Sequence, residues 1–477
     1  MSTTERLAQF ALDFRISEAP SVVSDTARLR LLDTLGVALA GSRQDCSRIA
    51  DETDSVIGGG DTNTIIGRRR KTSCLSAAFI NGVSAHALEF DDITSSVVTH
   101  TSATVVPSML ALSETLGASG KDFLSAYVVA FEVATRIGWG LNHNLLPRGW
   151  HPNGVLAGIG CAAAGARLLG ASLEQTRAAI GIAASCSAGL RKNVGSMTKP
   201  FHMGHAALNG ILAAQLAAKG YTADLSVLEQ GDTSVSSVPS TAQIGHAHFS
   251  FPEVFAGPGG YDLTQIERNL GTEFELASDS TITRFHPGST FPQAAVDETI
   301  SLVAKHNISA DNIAQIKVGV TPLCLAIAGY GRKPSNGVFA RFNAAYAVAV
   351  AAIDRKVGIA QYADERVMRP DVQALIEAVK LYIPDDFSGV THAWSDKPPT
   401  PISCRVEITT KDGRKFDGAR DTTKGFPGTR VSWTDMLEKF NACASEILAD
   451  SKAKEVAETV RGIAELKSVR QLCAVLS

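Results

Sequence analysis

The sequence predicts a mainly α-helical protein with an α/β part, built as a large all-helical domain plus a smaller α/β domain. Apolar segments rich in Ala and Gly recur at helical spacing through the first half and again at the end. Between them, β-branched residues cluster in IAQIKVGVTPLCLAI (313–327) and ISCRVEITTKDGRKFDG (402–418), and the second stretch carries a Lys-Asp-Gly hairpin signal. The expected division is residues 1–265 for the helical domain, 266–430 for the α/β domain and 431–477 for helices returning to the first.

Taken in order, MSTTERLAQFALDFR reads as an amphipathic helix rather than a cleavable signal. Val22–Ala40 forms a helix closed at Gly41. A Gly/Thr-rich connection, GGGDTNTIIGRRRK, follows. A phosphate cradle there needs Gly immediately before Lys71, and Arg70 occupies that place, so the stretch reads as a solvated basic turn. Ser73–Leu88 is helical and carries Asn81, Gly82 and His86 into AHALEFDDITSSVVTHTSATVVP (85–107). That stretch concentrates Glu89, Asp91, Asp92 and His100 beside apolar helices, where packing alone does not call for them.

Pro107–Leu116, Phe123–Ile137, Gly154–Leu169 and Leu173–Leu190 read as further helices. GIGCAAAG (158–165) lacks the spacing and the preceding strand of a dinucleotide loop. Two polar islands interrupt these helices. RGWHPNG (148–154) presents His151 before a helix, and RKNVGSMTKPFHMGHAALNG (191–210) reads as a shaped loop holding Arg191, Lys192, Lys199, His202 and His205. Phe342–Ile353 and Asp371–Val379 read as helices of the α/β part, and Trp433–Leu476 as helices packing back on the first half.

Composition narrows the function. The chain of 477 residues is 45% hydrophobic and 19% charged with a net charge of −3, so no global field recruits nucleic acid or an acidic membrane surface. No apolar run approaches the roughly 20 residues needed to span a bilayer. The eight cysteines form no CxxC pair, which suits reduced core thiols in a cytoplasmic protein. There is no GxSxG elbow and no HExxH. His246-Ala-His248 is the one metal-like spacing and lacks Cys or carboxylate partners, so neither metal nor organic cofactor is expected. What remains is an inventory of carboxylates, His100, His151, His202 and Lys199. Such a set suits binding of a polyanion and proton transfer beside a carboxylate, with His100 or His151 as acid or base.

The motifs AHALEFDD with a downstream Thr-His, GWHPNG, GSMTKPFHMGHAALNG and ARFNAAYAVAVAAID resemble, in order and spacing, those of the MmgE/PrpD family. That family includes 2-methylcitrate dehydratase, cis-aconitate decarboxylase and iminodisuccinate epimerase. The resemblance implies a helical domain with a smaller α/β lid, a homodimer, and catalysis without metal or organic cofactor. It places active-site positions at Glu89, Thr94, His100, His151, Lys199 and Tyr346. The chain departs from the pattern at Ser289, where relatives commonly carry Cys or His, at Gln293, where several carry His, and at Leu208, often Arg or Gln.

The expected activity is that of a cofactor-independent lyase, a dehydratase or decarboxylase of a small di- or tricarboxylate. His100 or His151 handles the proton, Lys199 and Arg191 hold a carboxylate, and Glu89 and Asp91 orient a histidine or lysine. Tyr346 donates to the product or to a carboxylate, and Asp92, Thr94, His202, His286 and Ser289 line the substrate. Two alternatives remain: an epimerase of a dicarboxylate such as iminodisuccinate, and a non-catalytic carboxylate-binding member.

Overall fold

A computed structural model describes residues 1–141, 143–229, 249–329, 333–390 and 397–476. The His246-Ala-His248 pair lies outside the described residues. The chain forms two compact units. One comprises Met1–Ala87, Asp92–Ser278 and Met436–Ser477, and the other Leu88–Asp91 and Asp279–Asp435. The second unit thus begins later than residue 266, and it takes in four residues from the acidic stretch. No described helix is long and apolar enough to cross a membrane.

In the first unit the Thr198–Ala218 helix packs against Pro152–Leu168, Cys74–His86, Leu173–Ser185 and Thr101–Leu116. These helices are apolar nearly all round, as helices at the centre of a bundle must be. Small residues let the axes approach closely. A Cβ at Gly204 would lie 2.3 Å from the carbonyl oxygen of Phe79, and one at Gly82 would lie 2.8 Å from the Gly204 Cα. The Cys74–His86 and Thr198–Ala218 helices therefore meet backbone to backbone. The first ends at His86, four residues beyond Gly82, and His202 stands two residues before Gly204, so this contact brings the ends bearing the two imidazoles together. At the far end of the chain, Lys439 returns to the unit with its Nζ 2.6 Å from Asp33 Oδ1, both side chains almost completely buried.

Three elements differ from the sequence expectation. The helix expected to start at Pro107 starts at Thr101, with Pro107 inside it. Thr101, Ser102 and Thr104 are weak helix formers, but every residue from Thr101 to Glu114 is buried, and tertiary burial outweighs propensity. The segment read as a loop over 191–210 is helical from Thr198 onward, with Pro200 in the first turn, where a backbone N–H has no intrahelical acceptor to lose. Finally, the strand expected over 313–327 stops at Gly319. The Thr321 hydroxyl then accepts from the Cys324 N–H at 3.2 Å and starts the Pro322–Ala328 helix.

The second unit is built on a four-stranded sheet ordered Val379–Tyr382, Ile313–Gly319, Cys404–Thr410, Lys415–Arg420. The first pair is parallel and the others are antiparallel. Cys404, Val406, Ile408 and Thr410 alternate inward along their strand, the period expected of a sheet with one covered face. Helices Gln293–Lys305 and Ala344–Asp354 pack together and against the strands. The Lys-Asp-Gly signal forms the hairpin, with Gly413 at φ +85°.

Gly204→Val tests the backbone contact. The added side chain must push the Phe79 carbonyl away, and the expected cost is about 1–3 kcal/mol or more. Urea unfolding monitored by circular dichroism should show a lower midpoint. An unchanged midpoint would mean that the two helices tolerate separation.

Candidate active site

Four imidazoles and one ammonium converge in the helical unit. His86 ends the Cys74–His86 helix, His100 immediately precedes Thr101–Leu116, His151 immediately precedes Pro152–Leu168, and Lys199 and His202 lie in the first two turns of Thr198–Ala218. All five are buried. The rings of His86 and His100 are 4.4 Å apart between centroids, and His151 lies 6.4 Å from His86, 6.5 Å from His100 and 5.1 Å from His202. Three of the helices point their N-terminal ends into this cluster, and the partial positive charge at those ends favours an anion.

Hydrogen bonds fix the orientation of His100. Its Nδ1 is 3.2 Å from the Asp92 carbonyl oxygen, which can only accept, so Nδ1 carries the hydrogen and Nε2 of the neutral ring is the basic nitrogen. Its backbone N–H donates to Asn153 Oδ1 at 2.7 Å, and Asn153 Nδ2 donates to the Thr104 hydroxyl at 2.7 Å. Asn153 thereby ties the start of one helix to the first turn of another. The second imidazole pair meets nitrogen to nitrogen, with His151 Nδ1 3.0 Å from His202 Nδ1.

Two rings of the cluster, His151 and His202, resist protonation. Burial is the main cause, followed by Lys199, His86, His100 and His202, and together they hold His151 well below the ordinary value of 6.5. Burial first, then His86, His205 and Lys199, bring His202 down to about 4. Near neutrality both rings are uncharged until an anion offsets the surrounding positive potential.

Other residues expected in the site serve different ends. Asp92 Oδ2 accepts from the Ser102 hydroxyl at 2.6 Å, and Ser102 also meets the Tyr127 hydroxyl at 2.7 Å, so this carboxylate braces helix packing rather than lining a substrate. Arg191 is exposed and donates to the Leu146 carbonyl at 3.3 Å. Thr94 fits its expected role better, because its hydroxyl is buried and has no hydrogen-bond partner among the described residues.

Within the α/β unit, Glu89 and Asp91 surround Arg284. Arg284 Nη2 is 2.8 Å from Asp91 Oδ1, its Nε donates to the Asp91 carbonyl at 2.8 Å, and its Nη1 lies 3.5 Å from Glu89 Oε2. Asp91 thus holds an arginine rather than the expected histidine or lysine. Glu89 sits at φ +51°, a left-handed conformation that is costly for a residue with a side chain and is retained here by the Gly288 N–H donating to its carbonyl at 2.9 Å.

The His286 ring, expected to line the substrate, is held at both nitrogens: its Nδ1 meets the Val357 carbonyl and its Nε2 meets Asp297 Oδ1, each at 2.8 Å. Gln293 clamps the same turn, accepting from the His286 N–H at 3.2 Å and donating to the His286 carbonyl at 2.7 Å. The Tyr346 hydroxyl donates to the Gln361 carbonyl, and burial raises its pKa, so it is engaged with the backbone rather than poised as a donor. Ser289 keeps a buried hydroxyl with no partner among the described residues.

Two members escaped the sequence reading. His86 looked like an ordinary helix-terminal histidine, and only the chain's return at Thr101 and Pro152 surrounds it with imidazoles. Arg284 is the one arginine of TITRFHPG, lying between Thr283 and Phe285, and only the fold shows its buried carboxylate partner Asp91.

Residues 5–244 match the MmgE/PrpD N-terminal domain, and residues 286–465 match the MmgE/PrpD C-terminal domain. The chain belongs to the MmgE/PrpD family. Among its relatives are the cis-aconitate decarboxylases of Homo sapiens, 27% identical over 100% of this chain and 94% of the relative, and of Mus musculus, 26% identical over 100% and 93%. That of Aspergillus terreus is 26% identical over 99% of this chain and 96% of the relative. The imidazole cluster lies wholly within the part of the chain that matches the family's N-terminal domain.

The low proton affinity of His202 has a consequence for stability. An imidazole with a folded pKa near 4 and an unfolded value near 6.5 binds its proton more readily in the unfolded chain. Its contribution is therefore complete above about pH 6.5 and is lost as pH falls toward 4, by on the order of 3 kcal/mol. Thermal melts across this window should fall more steeply for the wild type than for His202→Asn. Parallel slopes would contradict the assignment.

Proposed function

We propose that the protein is a cofactor-independent lyase that removes a carboxylate as CO2 from a small di- or tricarboxylate of the citrate/aconitate type. The observation that carries this reading is the buried set of four imidazoles and Lys199, of which His100, His151, His202 and Lys199 stand at three helix N-termini. A polyanion entering it brings the negative charge that the cluster lacks, and its carboxylates raise the proton affinity of the imidazoles around them. Lys199 and the helix ends hold the anion, and imidazoles that are uncharged without it gain protons around it.

In the reaction the bond from carbon to the departing carboxylate breaks, CO2 leaves, and the electron pair remains on carbon. A neighbouring unsaturated carboxylate delocalises that pair, and the flanking positive charge stabilises it. His151, protonated on binding, then delivers its proton to carbon, so R–COO⁻ and imidazolium become R–H, CO2 and neutral imidazole. The relatives named as cis-aconitate decarboxylases favour decarboxylation over dehydration. In this reading His86 and His100 act as imidazoles rather than as metal ligands. In this proposal the enzyme works as a homodimer, as the family resemblance implies, and in the cytoplasm, as its reduced cysteines suggest.

A second reading has its own support. His100 and His151, 6.5 Å apart between ring centroids, are spaced to face opposite sides of a small carbon centre, as an epimerase requires. That activity would exchange substrate hydrogen with solvent without releasing CO2.

Purified enzyme dialysed against EDTA should release CO2 from cis-aconitate. His151→Asn and Lys199→Met should each lower kcat/KM by on the order of a hundredfold or more while leaving the circular dichroism spectrum unchanged. Near-normal turnover in both variants would sink the site, and hydrogen exchange without CO2 would favour the epimerase.

A further inference from the structure

The contact between His151 and His202 joins two Nδ1 atoms at 3.0 Å, and two imidazoles meeting this way share a single hydrogen. Whichever nitrogen holds it donates to the lone pair of the other. The choice decides the chemistry of the far nitrogens. With the hydrogen on His151 Nδ1, the Nε2 of His151 is a lone pair that can take up and deliver a proton. With the hydrogen on His202, the neutral His151 ring carries its proton on Nε2 and has no basic nitrogen to offer.

The backbone holds both rings in this register. The His151 N–H donates to the Gly189 carbonyl at 2.9 Å, and a Cβ at Gly189 would lie 3.5 Å from both Cγ and Nδ1 of His202. Gly189, at φ +126°, thus anchors one ring while packing against the other. The two histidines are not equivalent. His151 stands at the centre, with His86, His100 and His202 around it, whereas His202 has the Phe201 ring at 6.3 Å on its far side.

We propose that His202 is a positioning residue that accepts the Nδ1–H of His151, so that the proton exchanged with substrate resides on His151 Nε2. The role expected for His202 from sequence, direct substrate contact, gives way to support of the ring that does the work. This inference rests on the lyase reading. In the step, His151 carries hydrogens on both nitrogens, the Nε2 proton moves to the carbon from which CO2 departs, and the Nδ1–H remains bonded to His202 throughout. His202 gains and loses nothing. Burial and neighbouring charge depress the proton affinity of His202 as they do that of His151. The groups that set the proton affinity of His151 are Lys199, His86, His100 and His202, and those around His202 are His86, His205 and Lys199.

Two substitutions separate acceptor from filler. His202→Phe keeps a ring and removes the acceptor, and His202→Asn restores an acceptor oxygen near the Nδ1 position. With cis-aconitate as substrate, His202→Phe should lower kcat on the order of a hundredfold with little change in KM. Its activity should also be lost at lower pH than in the wild type, because the imidazolium of His151 has lost its acceptor. His202→Asn should recover most of kcat and the wild-type pH profile. Wild-type kcat and pH profile in His202→Phe would overturn the proposal, as would equal damage in both variants.

A readout independent of activity is 15N NMR of histidine-labelled enzyme, which distinguishes the two tautomers. His151 should be protonated at Nδ1 in the wild type and in His202→Asn, and an Nε2–H tautomer of neutral His151 overturns the proposal. If His202→Phe does not fold, His202→Leu takes its place in the comparison with Asn. Wild-type enzyme that releases no CO2 while His151 shows the Nδ1–H tautomer would remove the lyase reading and leave the hydrogen-bond assignment standing.

Discussion

The helical unit depends on a backbone contact at the crossing of Gly82 and Gly204. Without that approach the Cys74–His86 helix could not deliver His86 beside the start of Thr198–Ala218, and the cluster would lose one wall. The small side chains that dominate this unit follow from the same constraint, because helices that touch through their backbones leave little room for Cβ atoms. The abundance of Gly and Ala is therefore a condition of the site as much as of the core. Packing forces and catalytic geometry act here through the same residues.

Gathering imidazoles and a lysine at helix N-termini opposes folding, since each buried positive group raises the cost of the next. The protein meets that cost by leaving His151 and His202 uncharged in the empty state. Under the proposed lyase reading, such a site selects its ligand by charge. A neutral ligand gains nothing from the helix dipoles, and a monoanion compensates for only part of the available charge. A polycarboxylate supplies several negative groups at once and can draw protons onto the rings as it binds. Recognition and loading of the acid then become one event.

Much of this was legible in the sequence because the signals were local. Helical periodicity, the Lys-Asp-Gly hairpin and the His151 and Lys199 motifs all rest on residues close together in the chain. What escaped were long-range partnerships. Asp91 carries no mark that its partner is Arg284, nearly two hundred residues later, and His86 has no neighbour in sequence that identifies it as part of a cluster. The start of the Thr101–Leu116 helix was hidden for a related reason. Its first residues disfavour helix on intrinsic grounds, and only their complete burial by other helices reverses the preference.

The departures at residues 286, 289 and 293 bear on where proton chemistry takes place. His286 spends both ring nitrogens on Val357 and Asp297, Gln293 cannot ionise, and Tyr346 is engaged with the Gln361 carbonyl. Ser289 offers a buried hydroxyl, which can hydrogen-bond a ligand but is a poor acid or base near neutrality. These expected residues of the α/β unit are engaged in local hydrogen bonds or carry no titratable group, and the proposed lyase reading accordingly rests its proton chemistry on the imidazoles of the helical unit. A buried hydroxyl left without a partner is costly, and a ligand oxygen is the simplest group to satisfy it. Ser289 and Thr94, each within its own unit, are thus suited to bonding a ligand oxygen.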